Sequence, residues 1–133
     1  MSQQRRRVYS GTPWEPKVAY CRASRAGNFI AVSGTVAAGD DGKPVAPGDA
    51  YAQTLFALRK IEKALEGLGS CLADVVRTRV FLVDFVDFDE FARAHREVFA
   101  GIDPAATAVQ VSALVAPQYV VEIEADAVVT DDR

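Results

Sequence analysis

Glu122 and Glu124 stand two residues apart in the run Val121-Glu122-Ile123-Glu124-Ala125. In a β-strand that spacing sends both side chains out of one face. On a buried face two such carboxylates repel, which raises at least one pKa and suits a general acid or base. On an edge or surface strand the same pair is two solvated charges, and the spacing fits either arrangement. Ser33 and Thr35 flank Gly34 at the end of an apolar run, where hydroxyls and bare backbone could approach a small ligand or the glycine could simply make a turn. His95, the one histidine, falls on an apolar helical stripe, where a partly buried structural imidazole is expected. Cys21 and Cys71 match no zinc spacing. Neither a glycine-rich phosphate loop nor a hydrolase nucleophile elbow occurs. Neither a metal nor a cofactor is expected.

The elements that must position these residues follow from periodicity and punctuation. Val18 to Ala26 and Phe29 to Ser33 are β-compatible runs separated by Gly27-Asn28, the pattern of a tight hairpin. Ala37 to Gly48 is rich in Gly, Asp and Pro and reads as a loop. Asp49 is placed to cap a helix running to about Leu68, with Tyr51, Leu55, Leu58, Ile61, Leu65 and Leu68 on one stripe and glycines 67 and 69 to stop it. Val75 to Val83 is a strand with Arg77, Arg79 and Phe81 on one face and Thr78, Val80 and Leu82 on the other. A second helix spans Val86 to Phe99, and Gly101 and Pro104 break it. Thr107 to Leu114 and Tyr119 to Val129 complete the chain as strands, and a short strand before Trp14 is left open. The order ββαβαββ is α+β, a mixed sheet of five or six strands with both helices on one face. Phe29-Ile30-Ala31-Val32 and Val80-Phe81-Leu82-Val83 are nevertheless apolar at both parities. A strand apolar on both faces expects cover on both, so further copies of the chain are the expected cover and a homo-oligomer follows.

The 133 residues suit one compact domain, 1–133, with residues 1–13 as a flexible N-terminal arm carrying Arg5-Arg6-Arg7. A net charge of −3 gives no general help in holding phosphates, so no nucleic-acid partner is expected. No apolar stretch approaches a membrane span, and no signal-type apolar region follows the arginines. The expectation is a cytoplasmic protein with reduced thiols and no membrane partner.

Several segments in order resemble the reactive-intermediate deaminase (Rid, YjgF-like) family, and the likeness covers nearly the whole chain from about Lys17. They are Gly27-Asn28-Phe29-Ile30-Ala31-Val32-Ser33-Gly34-Thr35, the stretch Gln53 to Leu68 followed by Gly69, and Asp74-Val75-Val76-Arg77-Thr78-Arg79-Val80-Phe81. Asp87-Phe88 with Val98-Phe99, and Val121 to Ala125, complete the set. The resemblance implies a chorismate-mutase-like subunit, a trimer, and small-ligand clefts between subunits. The activity it implies is hydrolysis of imines, enamines or related reactive carbonyl intermediates; a non-catalytic trimer binding a small metabolite is the alternative. A ribonuclease activity sometimes attached to the family is disfavoured by the acidic charge. The family's cleft tyrosine falls on Tyr20 and its glutamate on Glu122, which makes these the expected catalytic pair. Trp14, Arg22, Ser33, Thr35, Arg79, Phe88 and Thr107 are the expected substrate contacts. The family's carboxylate-gripping arginine falls on Ala106, and a methyl group cannot imitate that bidentate contact. Arg22 and Arg79 are the candidates for an anion contact from another direction. The Trp14 to Arg22 segment and the Arg77-Thr78-Arg79 pattern look like a divergent branch of the family, one without the carboxylate-binding arginine.

Overall fold

The computed structural model describes residues 5–130. Six strands form one sheet in the order β1-β2-β3-β6-β4-β5, with three α-helices. The strands are β1 (Arg6–Val8), β2 (Ala23–Ala26), β3 (Phe29–Thr35), β4 (Val75–Leu82), β5 (Ala105–Gln110) and β6 (Val121–Val128). The helices are α1 (Trp14–Val18), α2 (Ala50–Gly67) and α3 (Phe88–Phe99). Among the described residues only β4 and β5 pair in parallel. The α+β class, the mixed sheet and the two long helices on one face agree with the sequence reading.

The core lies between that face and α2 and α3. Val121, Ile123, Ala125 and Ala127 of β6 are buried and alternate with half-buried Glu122, Glu124 and Asp126. Ile30 and Val32 of β3 and Thr78, Val80 and Leu82 of β4 join the helix-side layer. Asp49 caps α2 by accepting a hydrogen bond from the Ala52 N–H at 3.0 Å, the interaction expected of an N-cap aspartate. The helix stops at Gly69, which takes φ +77°. The buried stripe of α2 is shifted from the expected one. Gln53 and Thr54 are buried, whereas Tyr51 is half-exposed, donating its hydroxyl to Glu97 at 2.6 Å and packing under the Arg93 guanidinium. Gln53 is tolerated there because all its polar atoms are used. Its Nε2 donates to the Ala46 carbonyl at 3.0 Å and the Gln118 carbonyl at 2.8 Å, and its Oε1 accepts from the Val120 N–H at 2.9 Å.

Three expectations are corrected. The strand expected over Val18 to Ala26 is instead the end of α1, a crossing segment, and the four-residue β2. Pro13 precedes α1 and Pro16 sits within its first turn, where a missing N–H costs nothing; Ala19 then reverses the chain at φ 70°. Arg6–Val8 of the expected arm pair with β2 as the short additional strand, while residues 1–4 lie outside the described residues. The strand expected over Thr107 to Leu114 runs from Ala105 to Gln110.

The β2–β3 hairpin turns at Gly27-Asn28 as expected, with Gly27 at φ 61°. Its second strand carries an irregularity that matters for function. Val32 pairs with Ala125 and Thr35 with Ile123, so three steps on β3 oppose two on β6. One extra residue in the strand is a bulge, and it exchanges the faces of everything beyond it. Thr35 therefore turns into the buried layer, and Gly34 lies where the bulge brings β3 backbone against β6.

Candidate functional site

A Cβ built on Gly34 would stand 2.2 Å from Glu122 Oε2 and 3.1 Å from its Cδ. Only a residue without a side chain lets the Glu122 carboxylate lie across β3. That carboxylate opens into a cavity of about 240 Å³ walled by Trp14, Tyr20, Arg22, Gly34, Lys60 and Glu122. Thr12 also lines it, and the apolar Val18, Val36 and Val115 complete the wall. Burial pushes the Glu122 carboxyl above its ordinary range, and the neighbouring Glu124 adds to this while Arg22 works against it. Its strand is central, between β3 and β4, so the pair is not on an edge; Glu122 is half-buried, whereas Glu124 stays partly exposed beside Arg79.

Arg22 is the buried post of this cavity. Its Nη1 donates to the Gly34 carbonyl and to Thr35 Oγ1, both at 2.9 Å. Its guanidinium carbon lies 5.7 Å from the centre of the Tyr20 ring, and its Nε lies 3.6 Å from Glu15 Oε2. Glu15, buried on α1, also accepts from the Ser10 and Gly11 N–H groups and from the Ser10 hydroxyl. One arginine thus holds the bulge of β3, while its partner Glu15 holds the chain entering α1. Two residues of the cavity wall each carry a buried polar atom without a hydrogen bond, Arg22 Nε, which faces Glu15, and Thr12 Oγ1.

The structure brings Glu122, Tyr20, Trp14 and Arg22 together, with Thr35 behind Arg22. Ser33 lies beside them, its hydroxyl donating to the Cys21 carbonyl at 2.8 Å, and it lines an adjoining cavity with Tyr20. Arg79 is elsewhere. It sits in an ion-pair ladder on the open sheet face, 3.6 Å from Glu124 and 3.3 Å from Asp126. Phe88 and Thr107 lie across α3 and β5, lining a cavity of about 440 Å³ together with Phe91, His95 and Ala106. Strand β5 is two strands from β6, a lateral distance of about 10 Å. Within one chain these two residues do not reach the Glu122 cavity. His95 is half-buried, burial pushes its pKa below the ordinary imidazole value, and it shares a 3.0 Å hydrogen bond with Thr78 Oγ1. Lys60 and Thr12 were missed by sequence reasoning. Lys60 lies on α2 next to the apolar stripe and nothing in its spacing announces a cavity; Thr12 falls in the segment read as an arm.

The family model described as Endoribonuclease L-PSP matches residues 12–129. The chain belongs to this YjgF-like, reactive-intermediate deaminase family. Among relatives of this Rid protein, an uncharacterized protein of Streptomyces coelicolor is 36% identical over 126 residues, covering 95% of this chain and 93% of that one. The 3-aminoacrylate deaminase RutC of Acinetobacter baylyi is 36% identical over 113 residues, covering 85% and 88%. The crystal structure of Rv2704 from Mycobacterium tuberculosis, described as a member of the YjgF/YER057c/UK114 family, superposes with a TM-score of 0.85 at 44% identity, covering 95% of this chain and all of that one. Among the described residues of the Rid protein, no helix is long and apolar enough to cross a membrane.

Proposed function

We propose that this Rid protein hydrolyses a small imine, enamine or related reactive carbonyl compound, with Glu122 and Tyr20 at the reacting centre. The observation that carries the reading is the Glu122 carboxylate, held over Gly34 in a small cavity with its pKa raised by burial. A carboxylate so tuned is a stronger base than a solvated one and works closer to neutral pH. In this mechanism Glu122 takes a proton from water as the water oxygen adds to the C=N carbon. Returning that proton to nitrogen gives the carbinolamine; the carboxylate then moves the hydroxyl proton to the amine as the C–N bond breaks, which releases ammonia and forms the carbonyl. Tyr20, stacked on Arg22, orients the bound compound or the water. The deaminase among the relatives supports this class of chemistry.

The working form in this proposal is a homotrimer with the cleft between subunits. Phe88 and Thr107 of one copy then complete the wall around Glu122 and Tyr20 of the next, a reading supported by their separation within one chain. A coupled assay supplying amino-acid-derived and neutral imines in turn, scored by ammonia release, tests the reading. No turnover of any of them, together with thermal stabilisation by a metabolite, would favour a binding protein without catalysis. The absence of a cation at Ala106 is the observation on that side. A ribonuclease reading has little support, since Arg77 and Arg79 of the open face are both paired with acids.

A further inference from the structure

A second cavity lies on the helix side of the sheet, where α2 passes the edge strand β1. It holds about 500 Å³, within the roughly 300–1,000 Å³ of small-molecule sites. Val8 of β1 packs against the core, and a Cβ on Gly67 would stand 3.0 Å from Val8 Cγ1, so the end of α2 closes on the strand. Val8 and Gly67, with Phe56 and Ala64 of α2, give the cavity an apolar lining. Tyr9, 65% exposed, also lines it and offers a ring to a flat partner.

The charge of this cavity is positive although that of the chain is −3. Arg59, Lys60 and Lys63 line it from one flank of α2, with the buried Arg22 and, as the acid among the lining residues, Asp40. Arg22 is answered by Glu15 at 3.6 Å, which leaves the three cations of α2 set against Asp40. Arg59 has Glu62 at 3.0 Å, an exposed pair that solvent weakens. Lys60 spends one of its three donors on the Ala38 carbonyl at 2.9 Å. Lys63 makes no hydrogen bond or ion pair among the described residues. The Lys60 pKa is lowered by burial first and then by Arg22, and Lys63 adds to this against Asp40 and Glu15. Cations crowded in this way repel, and a bound anion relieves the repulsion. A phosphate monoester carries about −1.5 to −2 charges at neutral pH, a closer match to three cations and one acid than a single carboxylate is.

We propose that the cavity between α2 and β1 is a binding site for a small aromatic phosphomonoester, with Arg59 and Lys63 holding the phosphate and Tyr9 and Phe56 flanking the ring. The site is independent of the chemistry proposed at Glu122. The two cavities share Arg22 and Lys60 as a common wall, so the test must locate the ligand as well as detect it. Helix α2 lies on the sheet face opposite the open one, and subunits packed on the open face leave this cavity to solvent.

The test is a titration of the intact protein with naphthyl phosphate, naphthol and inorganic phosphate, followed by amide shifts in heteronuclear NMR. Naphthyl phosphate is expected to bind at least about tenfold more tightly than either half alone, with shifts centred on Val8, Phe56 and Gly67. Lys63→Gln should weaken it by about five- to tenfold, and Lys63→Arg should keep most of the affinity. Tyr9→Ala should weaken it by about two- to tenfold through the lost ring contact. Both side chains are exposed, so the variants should keep the parent's circular dichroism. Naphthol or inorganic phosphate binding as tightly as the ester would overturn the assignment. So would affinity unchanged in Lys63→Gln, shifts confined to Tyr20, Gly34 and Ile123 around the other cavity, or no binding of any probe.

Discussion

Glu122 pairs across the sheet with Phe81 and packs its carboxylate over Gly34, so its chemistry and its energetics are set by the same contact. Replacing it by Gln keeps the shape and removes the base. Once a substrate is in hand, Glu122→Gln should lower kcat by about 10²–10⁴-fold, while Glu124→Gln, one pair along the same face and about 7 Å away, should change it little. Stability should move the other way. A carboxyl whose pKa is raised on folding stabilises the fold below its unfolded pKa, and that contribution is lost as pH rises through the folded value. The melting temperature of Glu122→Gln relative to the parent should therefore increase between about pH 4 and about pH 8, and a gap that narrows over that range would contradict a desolvated carboxylate. Gly34→Ala gives an orthogonal test. Its Cβ meets the flexible end of Glu122 and not rigid backbone, so the fold should persist in circular dichroism while turnover falls as in Glu122→Gln. The glutamate pair was legible from strand parity, and Tyr20 and Glu122 from the family resemblance. The placing of Arg22 and Thr12 in the wall of the Glu122 cavity was not, because it depends on where a bulge and a five-residue helix put two side chains distant in sequence from Glu122.

At the scale of elements, α2 is the mainstay of the site, since it carries Lys60 on one flank and Gln53 at its start. Asp49→Ala removes the N-cap acceptor and should cost about 0.5–2 kcal/mol in denaturant unfolding. Gln53→Leu should cost more than a cap, because it removes three part-buried hydrogen bonds to the Ala46 and Gln118 carbonyls and the Val120 N–H, each worth about 0.5–1.5 kcal/mol. A Gln53→Leu protein as stable as the parent would mean that the loops find other partners. The two helices and the hairpin were legible because capping, period and turn chemistry agree in those segments. The α1 segment was not, since Val18 to Cys21 is β-compatible in composition and the strand assignment gave no weight to Pro16 or to a reversal at Ala19. Gln53 reads as a polar flaw in an apolar stripe until the two loops it ties are seen.

The whole molecule presents a sheet face that α2 and α3 do not cover. Phe29 and Val109 are exposed there, Phe81 is half-buried, and the Arg77, Arg79, Glu124 and Asp126 ladder runs between them. Size-exclusion chromatography with light scattering should return about three times the chain mass of 14.3 kDa; a stable, well-folded monomer would remove the intersubunit cleft from the proposal. The clamp made by Gln53 has one more consequence, for the route by which a ligand comes and goes. Its side chain ties the carbonyl of Ala46 in one loop to Gln118 and Val120 in another, the two segments that continue into the cavity wall at Val36 and Val115. These loops should open as one cooperative unit, so in hydrogen exchange the Val120 amide should report the slow release of both. Faster traffic is then expected past the short α1 turn with Trp14, whose hold on the sheet rests on Glu15 and Arg22.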